Sequence, residues 1–268
     1  MHDTVQLDRQ RAYDIRLHVP QGDAPPGGHA LVWLLDAPTT WAPMQQALHE
    51  AGDPGVVVVG IDWAVEGSVD PSLRRRDFTL PARGEVPPPR GAEDWTEDGD
   101  ADAFLGFLTD RLQPRYLDTL PVDLRRQCLV GHSLSGLFVL HALMCKPERF
   151  TRYVASSPSI WWDGARMLDD ARAADWAAAR AARVLLTVGS EEQVAGPEKP
   201  PEVAGEDDAA LLGEPHMVDN AAAFAELLRD NAVDAHFRLI EGGGHKTVIP
   251  AAMAEALAFA LGDPDEAN

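Results

Sequence analysis

The chain has 268 residues, 45% of them hydrophobic, and a formal net charge of −20. That is enough length and apolar content for one α/β domain with a substantial core, while so acidic a surface is a poor partner for nucleic acid or an anionic membrane. Two cysteines exclude a disulfide framework, and no apolar run approaches the roughly 18 residues a membrane span needs.

Taken in order, the opening MHDTVQLDRQ is polar and lacks the apolar stretch of a signal peptide. The expectation is a cytoplasmic protein, or a periplasmic one if a leader has been removed. Residues 13–19 alternate, with Tyr13, Ile15, Leu17 and Val19 on one face, and read as an antiparallel edge strand. GDAPPGG is a turn. Residues 30–35 form a continuous apolar run, as in a strand covered on both faces, and 41–51 read as a helix. GVVVVGI, residues 55–61, is the least ambiguous buried strand. Residues 62–100 show no periodicity; a loop of that length in a compact domain serves a function or moves. Residues 101–112 place Phe104, Leu105, Leu108 and Leu112 on one helical face.

A short apolar run, Cys128-Leu129-Val130, then ends at Gly131. Ser133 follows at once, and Leu137, Leu140 and Met144 recur at helical spacing. This is strand, sharp turn, helix, with a serine at the apex. Such a turn exposes the hydroxyl and crowds its neighbours, so small residues are wanted around it. The G-x-S-x-G pattern is met loosely, as G-H-S-L-S-G. Further on, 152–155 is a short strand, SSPSIWWDG a loop, 165–182 an alanine-rich helical stretch in one or two pieces, and 183–188 a buried strand. Residues 189–215 form a long acidic loop, 217–229 a helix, 235–240 the last strand and EGGGHK the loop after it. Pro250 opens the closing helix, and GDPDEAN is a frayed tail. No repeat or second core is visible, so one domain is expected, with a mostly parallel sheet and helices on both faces.

Function in such sheets collects at the carboxyl ends of strands. Ser133, Glu191 or Glu192, and His245 each follow a predicted strand. The order serine, acid, histidine is that of α/β-hydrolases. A serine hydroxyl is a weak nucleophile without a base. His245, in its glycine-rich loop, is the candidate to take the Ser133 proton and return it. Glu192 is the first candidate to orient that imidazole; Glu191, Asp219 or no acid at all are the alternatives. For the oxyanion, the backbone N–H of Leu134 is one candidate donor. The other comes from Asp36-Ala37-Pro38-Thr39-Thr40; Pro38 has no N–H, which leaves Ala37 or a threonine.

GHSLSGLFVLHALMCKPERFTRYVASSPSIWWD resembles the putative esterase family of α/β-hydrolases, most of all its siderophore esterases, which open trilactones of enterobactin and salmochelin type. LLDAPTTW is similar to the family's LLDG-type oxyanion strand end, RRRDFT to its arginine-rich substrate loop, and HMVDNAAAFAELLRD with EGGGHKTVIPAAMAEAL to its acid-to-histidine stretch. The resemblance spans about residues 10–262. It implies a serine esterase with Ser133 as nucleophile and His245 as base, Arg76 as the family's arginine before the aspartate, and a siderophore lactone as substrate. Ala37 and Ser135 stand where the family carries glycine.

Arg74, Arg75 and Arg76 interrupt an acidic chain, with Arg83 and Arg90 after them. They fit either a clamp for an anion such as a ferric tris-catecholate or surface pairs with Asp70, Asp77 and Glu85. Trp161 and Trp162 are candidates for an aromatic wall of the site. No Cys/His cluster has metal-ligand spacing and no glycine pattern fits a nucleotide, so no metal or organic cofactor is expected. Any iron would arrive with the substrate. Another ester (feruloyl, acetyl-sugar or thioester) or a non-catalytic siderophore carrier are the competing expectations.

Overall fold

The computed structural model describes residues 2–8, 11–65, 71–84, 99–193 and 215–262. Eight strands build one sheet: β1 His2–Gln6, β2 Ala12–His18, β3 His29–Leu34, β4 Val56–Trp63, β5 Val122–His132, β6 Arg152–Ser156, β7 Arg183–Gly189 and β8 Asp234–Ile240. Across the sheet they run β1-β2-β4-β3-β5-β6-β7-β8. The β1–β2 and β2–β4 pairs are antiparallel, and every pair beyond them is parallel. Parallel neighbours need a crossover. The described helices are α1 Ala37–Glu50, α2 Pro71–Phe78, α3 Ala101–Phe107, α4 Gln113–Leu117, α5 Leu134–Cys145, α6 Trp162–Ala173, α7 Met217–Asp230 and α8 Ile249–Leu261.

The apolar runs of β3 and β4 are buried at every position, because helices cover both faces of the sheet. Ala30, Val32, Leu34, Val58 and Val130 point to one face and meet Met44 and Leu48 of α1 and Met253 and Leu257 of α8. Leu31, Trp33, Val57, Val59 and Leu129 point to the other, where Phe104, Phe138 and Phe224 of α3, α5 and α7 pack. The period of two along each strand thus sorts side chains into two cores.

Several elements differ from the sequence expectation. Residues 12–18 are not at the edge, since β1 pairs outside them. In β1 the inward-facing apolar residue is Val5 alone, so its alternation is too weak to read. Helix α1 begins at Ala37, four residues before the expected start. Pro38 fits its first turn, where a missing N–H is harmless, and the Thr40 hydroxyl donates to the Leu35 carbonyl at 2.8 Å. The stretch 62–100 contains α2, whose buried residues are Arg75, Asp77 and Phe78, a pattern without an apolar stripe. Residues 66–70 and 85–98 lie outside the described residues, and with them Asp70, Glu85 and Arg90. So do 194–214 of the acidic loop and the tail 263–268. Helix α3 runs on through a π turn, Leu108–Leu112, into α4. The alanine-rich stretch is two pieces: α6, entered through left-handed Asp163, Gly164 and Ala165, and a 3-10 turn at Ala177–Ala181.

Phe224 of α7 is fully buried, with Trp176 edge-on at 6.2 Å. Phe224→Ala is expected to cost about 3–5 kcal/mol. Urea unfolding should show a lower midpoint with an unchanged slope.

Candidate active site

β5 and α5 meet at Ser133, whose backbone sits at φ 65°, ψ −123°. That region is costly for a residue with a side chain, and it lifts the hydroxyl out of the turn. The surroundings hold it there. The Ser133 N–H donates to the Ser156 carbonyl at 3.0 Å, and its own carbonyl accepts from Leu137 at 3.0 Å and Ser159 at 3.1 Å. A Cβ on Gly131 would stand 2.3 Å from the Ser135 carbonyl oxygen, so only glycine fits there. Ser135, in the second small position, fills its space usefully. Its hydroxyl accepts from the His132 N–H and donates to the His132 carbonyl, each at 2.8 Å.

His245 comes from the loop after β8. Its Nε2 lies 2.9 Å from Ser133 Oγ and its Nδ1 2.6 Å from Glu192 Oε2. Glu192 is 4% exposed and sits on a single 3-10 turn after β7. Its Oε1 accepts from the Gly189 N–H and the Ser157 hydroxyl, both at 2.7 Å. Two carboxylate oxygens with three donors form a fixed acceptor, and a buried carboxylate facing a half-buried imidazole makes a strong hydrogen bond. The glycines of the two loops are what permit this. A Cβ on Gly189 would lie 2.0 Å from the Gly243 carbonyl oxygen, and the Glu191 N–H donates to that same oxygen at 3.1 Å. Of the alternative acids, Glu191 is exposed and Asp219 accepts from Gln193; neither is brought to His245. Ser157 and Ser156 escaped the sequence reading. The one signal for them was their place at the carboxyl end of β6.

His132 lies beneath this pair. It is 2% exposed, with its ring 4.8 Å from that of His245 and its Nδ1 3.0 Å from Ser156 Oγ. Burial first, then the proximity of His245 and Arg74, holds it well below the ordinary histidine pKa. It is therefore neutral under His245.

Leu134 is the first residue of α5, so its N–H has no partner within the helix. At the end of β3, Asp36 takes a left-handed conformation, φ 58° and ψ 47°, and its carbonyl accepts from Thr39 and Thr40. With both threonine amides engaged and none on Pro38, Ala37 supplies the remaining N–H of that loop. The Asp36 carboxylate, 1% exposed, accepts from Arg74 at both oxygens: Nη2 at 2.7 Å and Nε at 3.0 Å from Oδ2, and Nε at 3.2 Å from Oδ1.

The arginine run therefore sorts differently from the expectation. Arg76 turns inward, its Nε donating to Asp77 Oδ1 at 3.1 Å. Asp77 is fully buried and also accepts from Tyr13 and Trp63. Arg75 lies over the Trp162 ring at 4.5 Å. Arg74 is the member of the run placed at the end of β3 and near His132. Successive helical residues point about 100° apart, so three consecutive arginines cannot share one target. Arg83 pairs with Asp170. Trp161 and Trp162 pack edge-to-face at 6.0 Å and are 6% and 5% exposed. Trp162 also lines a cavity with Phe78, Leu80, Leu137, His141 and Met167. No helix among the described residues is long and apolar enough to cross a membrane.

The family model described as "Putative esterase" matches residues 8–259. A ferri-bacillibactin esterase, BesA, of Bacillus subtilis is 32% identical over 268 residues, covering 95% of this chain and 86% of that protein. A siderophore hydrolase, EstA, from Aspergillus nidulans superposes with a TM-score of 0.78 at 28% identity, covering 97% of this chain and 93% of that one. The enterobactin and salmochelin hydrolase IroE shares the fold, with a TM-score of 0.74 at 22% identity over 98% and 95% of the two chains.

His132 and His141 are both held below the ordinary histidine pKa by burial. The unfolded chain therefore binds more protons than the folded one once the pH drops under about 6.5. Stability is full above that value and is lost as pH falls through it, by at most about 1.4 kcal/mol per pH unit for each histidine. Urea midpoints at pH 7.5 and 5.5 should show this loss in the wild type. The loss should be smaller in His132→Gln, and an equal loss in both would remove His132 as a cause.

Proposed function

The chain belongs to the putative esterase family and is a carboxylic ester hydrolase, and on that premise we propose that it opens the ester bonds of a trilactone siderophore through an acyl-enzyme on Ser133. The observation that carries the proposal is the unbroken relay of 2.9 Å from Ser133 Oγ to His245 Nε2 and 2.6 Å from His245 Nδ1 to Glu192. His245 Nε2 takes the hydroxyl proton as Oγ attacks the ester carbonyl. Glu192 holds the imidazole in the tautomer with a proton on Nδ1 and stabilises the imidazolium that forms. The Leu134 and Ala37 amides receive the developing oxyanion. His245 then gives its proton to the leaving alkoxide, and water, deprotonated in turn by His245, cleaves the acyl-enzyme.

The siderophore part of the proposal is supported by two likenesses. BesA is named for ferri-bacillibactin and EstA for siderophore hydrolysis. Arg74 adds a physical reason, since a guanidinium at the end of β3, close enough to His132 to be felt by it, offsets an acidic surface for an anionic catecholate. Arg74 thus takes the role that the sequence pattern suggests for Arg76, whose charge is spent on Asp77. Trp161 and Trp162 are buried against each other, and Trp162 carries Arg75, so they act as packing behind the site.

Two substitutions test the relay. Ser133→Ala should lower kcat by about 10⁶-fold if the residues act as a unit, and a fluorophosphonate should label wild-type Ser133 stoichiometrically. A loss under tenfold, or absence of label, removes Ser133 from the nucleophile role. Glu192→Gln should keep the fold and lower kcat by up to about 10⁴-fold; activity near wild type would leave a serine–histidine pair without an acid. Mass spectrometry of products from ferric and iron-free trilactones, beside feruloyl, acetyl and thioester substrates, tests the substrate. Cleavage confined to the latter set would overturn the siderophore reading and leave the serine chemistry standing.

A further inference from the structure

Away from the serine, α5 carries a second group of chemically able side chains. His141 and Cys145 lie one helical turn apart on it, and Asp102, in the first turn of α3, comes against them. His141 Nε2 is 2.9 Å from Asp102 Oδ1. Cys145 Sγ is 3.7 Å from His141 Nδ1 and 3.8 Å from Nε2. One donor atom from each of the three residues lies within 4.8 Å of the others. Asp102 stands 39 positions before His141, which is why the sequence suggested no metal set.

The distances suit a particular kind of ion. Zinc binds nitrogen and carboxylate oxygen at about 2.0 Å and thiolate at about 2.3 Å, so a tetrahedral site spaces its donors roughly 3.3–3.7 Å apart. The sulfur–nitrogen separations are already close to that. The Asp102–His141 contact has to open by a few tenths of an ångström, and Asp102 is free to yield because its side chain is 74% exposed. His141 is the fixed member, 6% exposed. Cys145 is exposed, so an ion can reach the group from solvent.

We propose that Asp102, His141 and Cys145 form a site for a borderline-soft divalent cation, Zn²⁺ or its spectroscopic substitute Co²⁺, with the fourth position open to water. The donor set of one carboxylate, one imidazole and one thiolate is a zinc set rather than a magnesium or calcium one. Asp102 sets a negative charge beside the imidazole and the thiol, which favours a cation between them, and a thiol must give up its proton to bind a metal, so binding releases that proton. Of the nearby cations, Arg166 is engaged by Asp170 and Lys146 by Asp110. An ion here would tie α3 to α5, the helix that follows Ser133. The site is independent of the ester chemistry proposed above.

The test is titration of metal-free full-length protein with Co²⁺ under reducing, anaerobic conditions. The expected result is a sulfur-to-cobalt charge-transfer band with strong tetrahedral d–d absorption, saturating at one equivalent and abolished by Zn²⁺. Cys145→Ser and Asp102→Asn, both surface changes, should remove or blue-shift it, and His141→Gln should do the same. Because Cys128 is buried, the thiolate band reports on Cys145. Zn²⁺ should raise Tm in the wild type and not in Cys145→Ser. A wild type that shows only weak octahedral absorption, or a band that persists unchanged in Asp102→Asn and His141→Gln, overturns the site.

Discussion

Everything at the candidate site depends on one strained residue. Ser133 is held at φ 65°, a conformation costing about 1–3 kcal/mol outside glycine. The strain is local, and so is what offsets it. Both of its backbone groups are hydrogen-bonded, to Ser156 on one side and to Leu137 and Ser159 on the other. Gly131 lets β5 and α5 approach to a distance no Cβ tolerates. The turn is thus clamped from β6 as well as from its own flanks. This explains why a serine-rich loop, Ser156-Ser157-Pro158-Ser159, follows β6. Its polar atoms saturate a turn that could not satisfy itself.

The same loop connects the Ser133 turn to Glu192. Ser156 reaches His132, Ser157 reaches Glu192, and Ser159 reaches Ser133. Three neighbouring residues therefore fix three parts of the site relative to one another. The β7 and β8 loops are fixed by a different device, backbone against backbone at Gly189 and Gly243. Side-chain hydrogen bonds set the orientation of Glu192, and glycine sets how close the histidine loop comes. Precision of this kind is what makes an ordered site effective, since preorganised groups need no rearrangement during reaction.

How much of this was legible in the sequence follows from the range of the interactions. GVVVVGI declared a doubly covered strand because its neighbours on both faces are apolar. Ser133, Glu192 and His245 were legible because each follows a strand, and parallel strands bring their carboxyl ends to one edge. β1 was not, because its pairing with β2 rests on backbone hydrogen bonds and a single apolar residue. Helix α2 was not, because it buries Arg75 and Asp77 in place of an apolar stripe. The choice among Arg74, Arg75 and Arg76 depends on which way a helix is rotated against the sheet, and no local pattern records that. Asp102 and Ser157 belong to the same class, since their partners lie 39 and 35 residues away.

Charge closes the physical picture. A protein of net charge −20 repels anions at long range, yet beyond about 8–10 Å that repulsion is screened at physiological salt. What an anion meets at the edge of the sheet is set by the nearest groups. There Asp36 pairs with Arg74: the carboxylate is 1% exposed and the arginine side chain 15%, so the arginine is the more accessible of the two partners. The pair also anchors the left-handed turn from which the Ala37 amide projects. One ion pair therefore ties the field at the candidate site to the geometry of the Asp36–Ala37 turn, and Arg74 cannot be removed without disturbing both. Any measured effect at Arg74 has to be split between KM and kcat before it is assigned to substrate charge or to oxyanion placement.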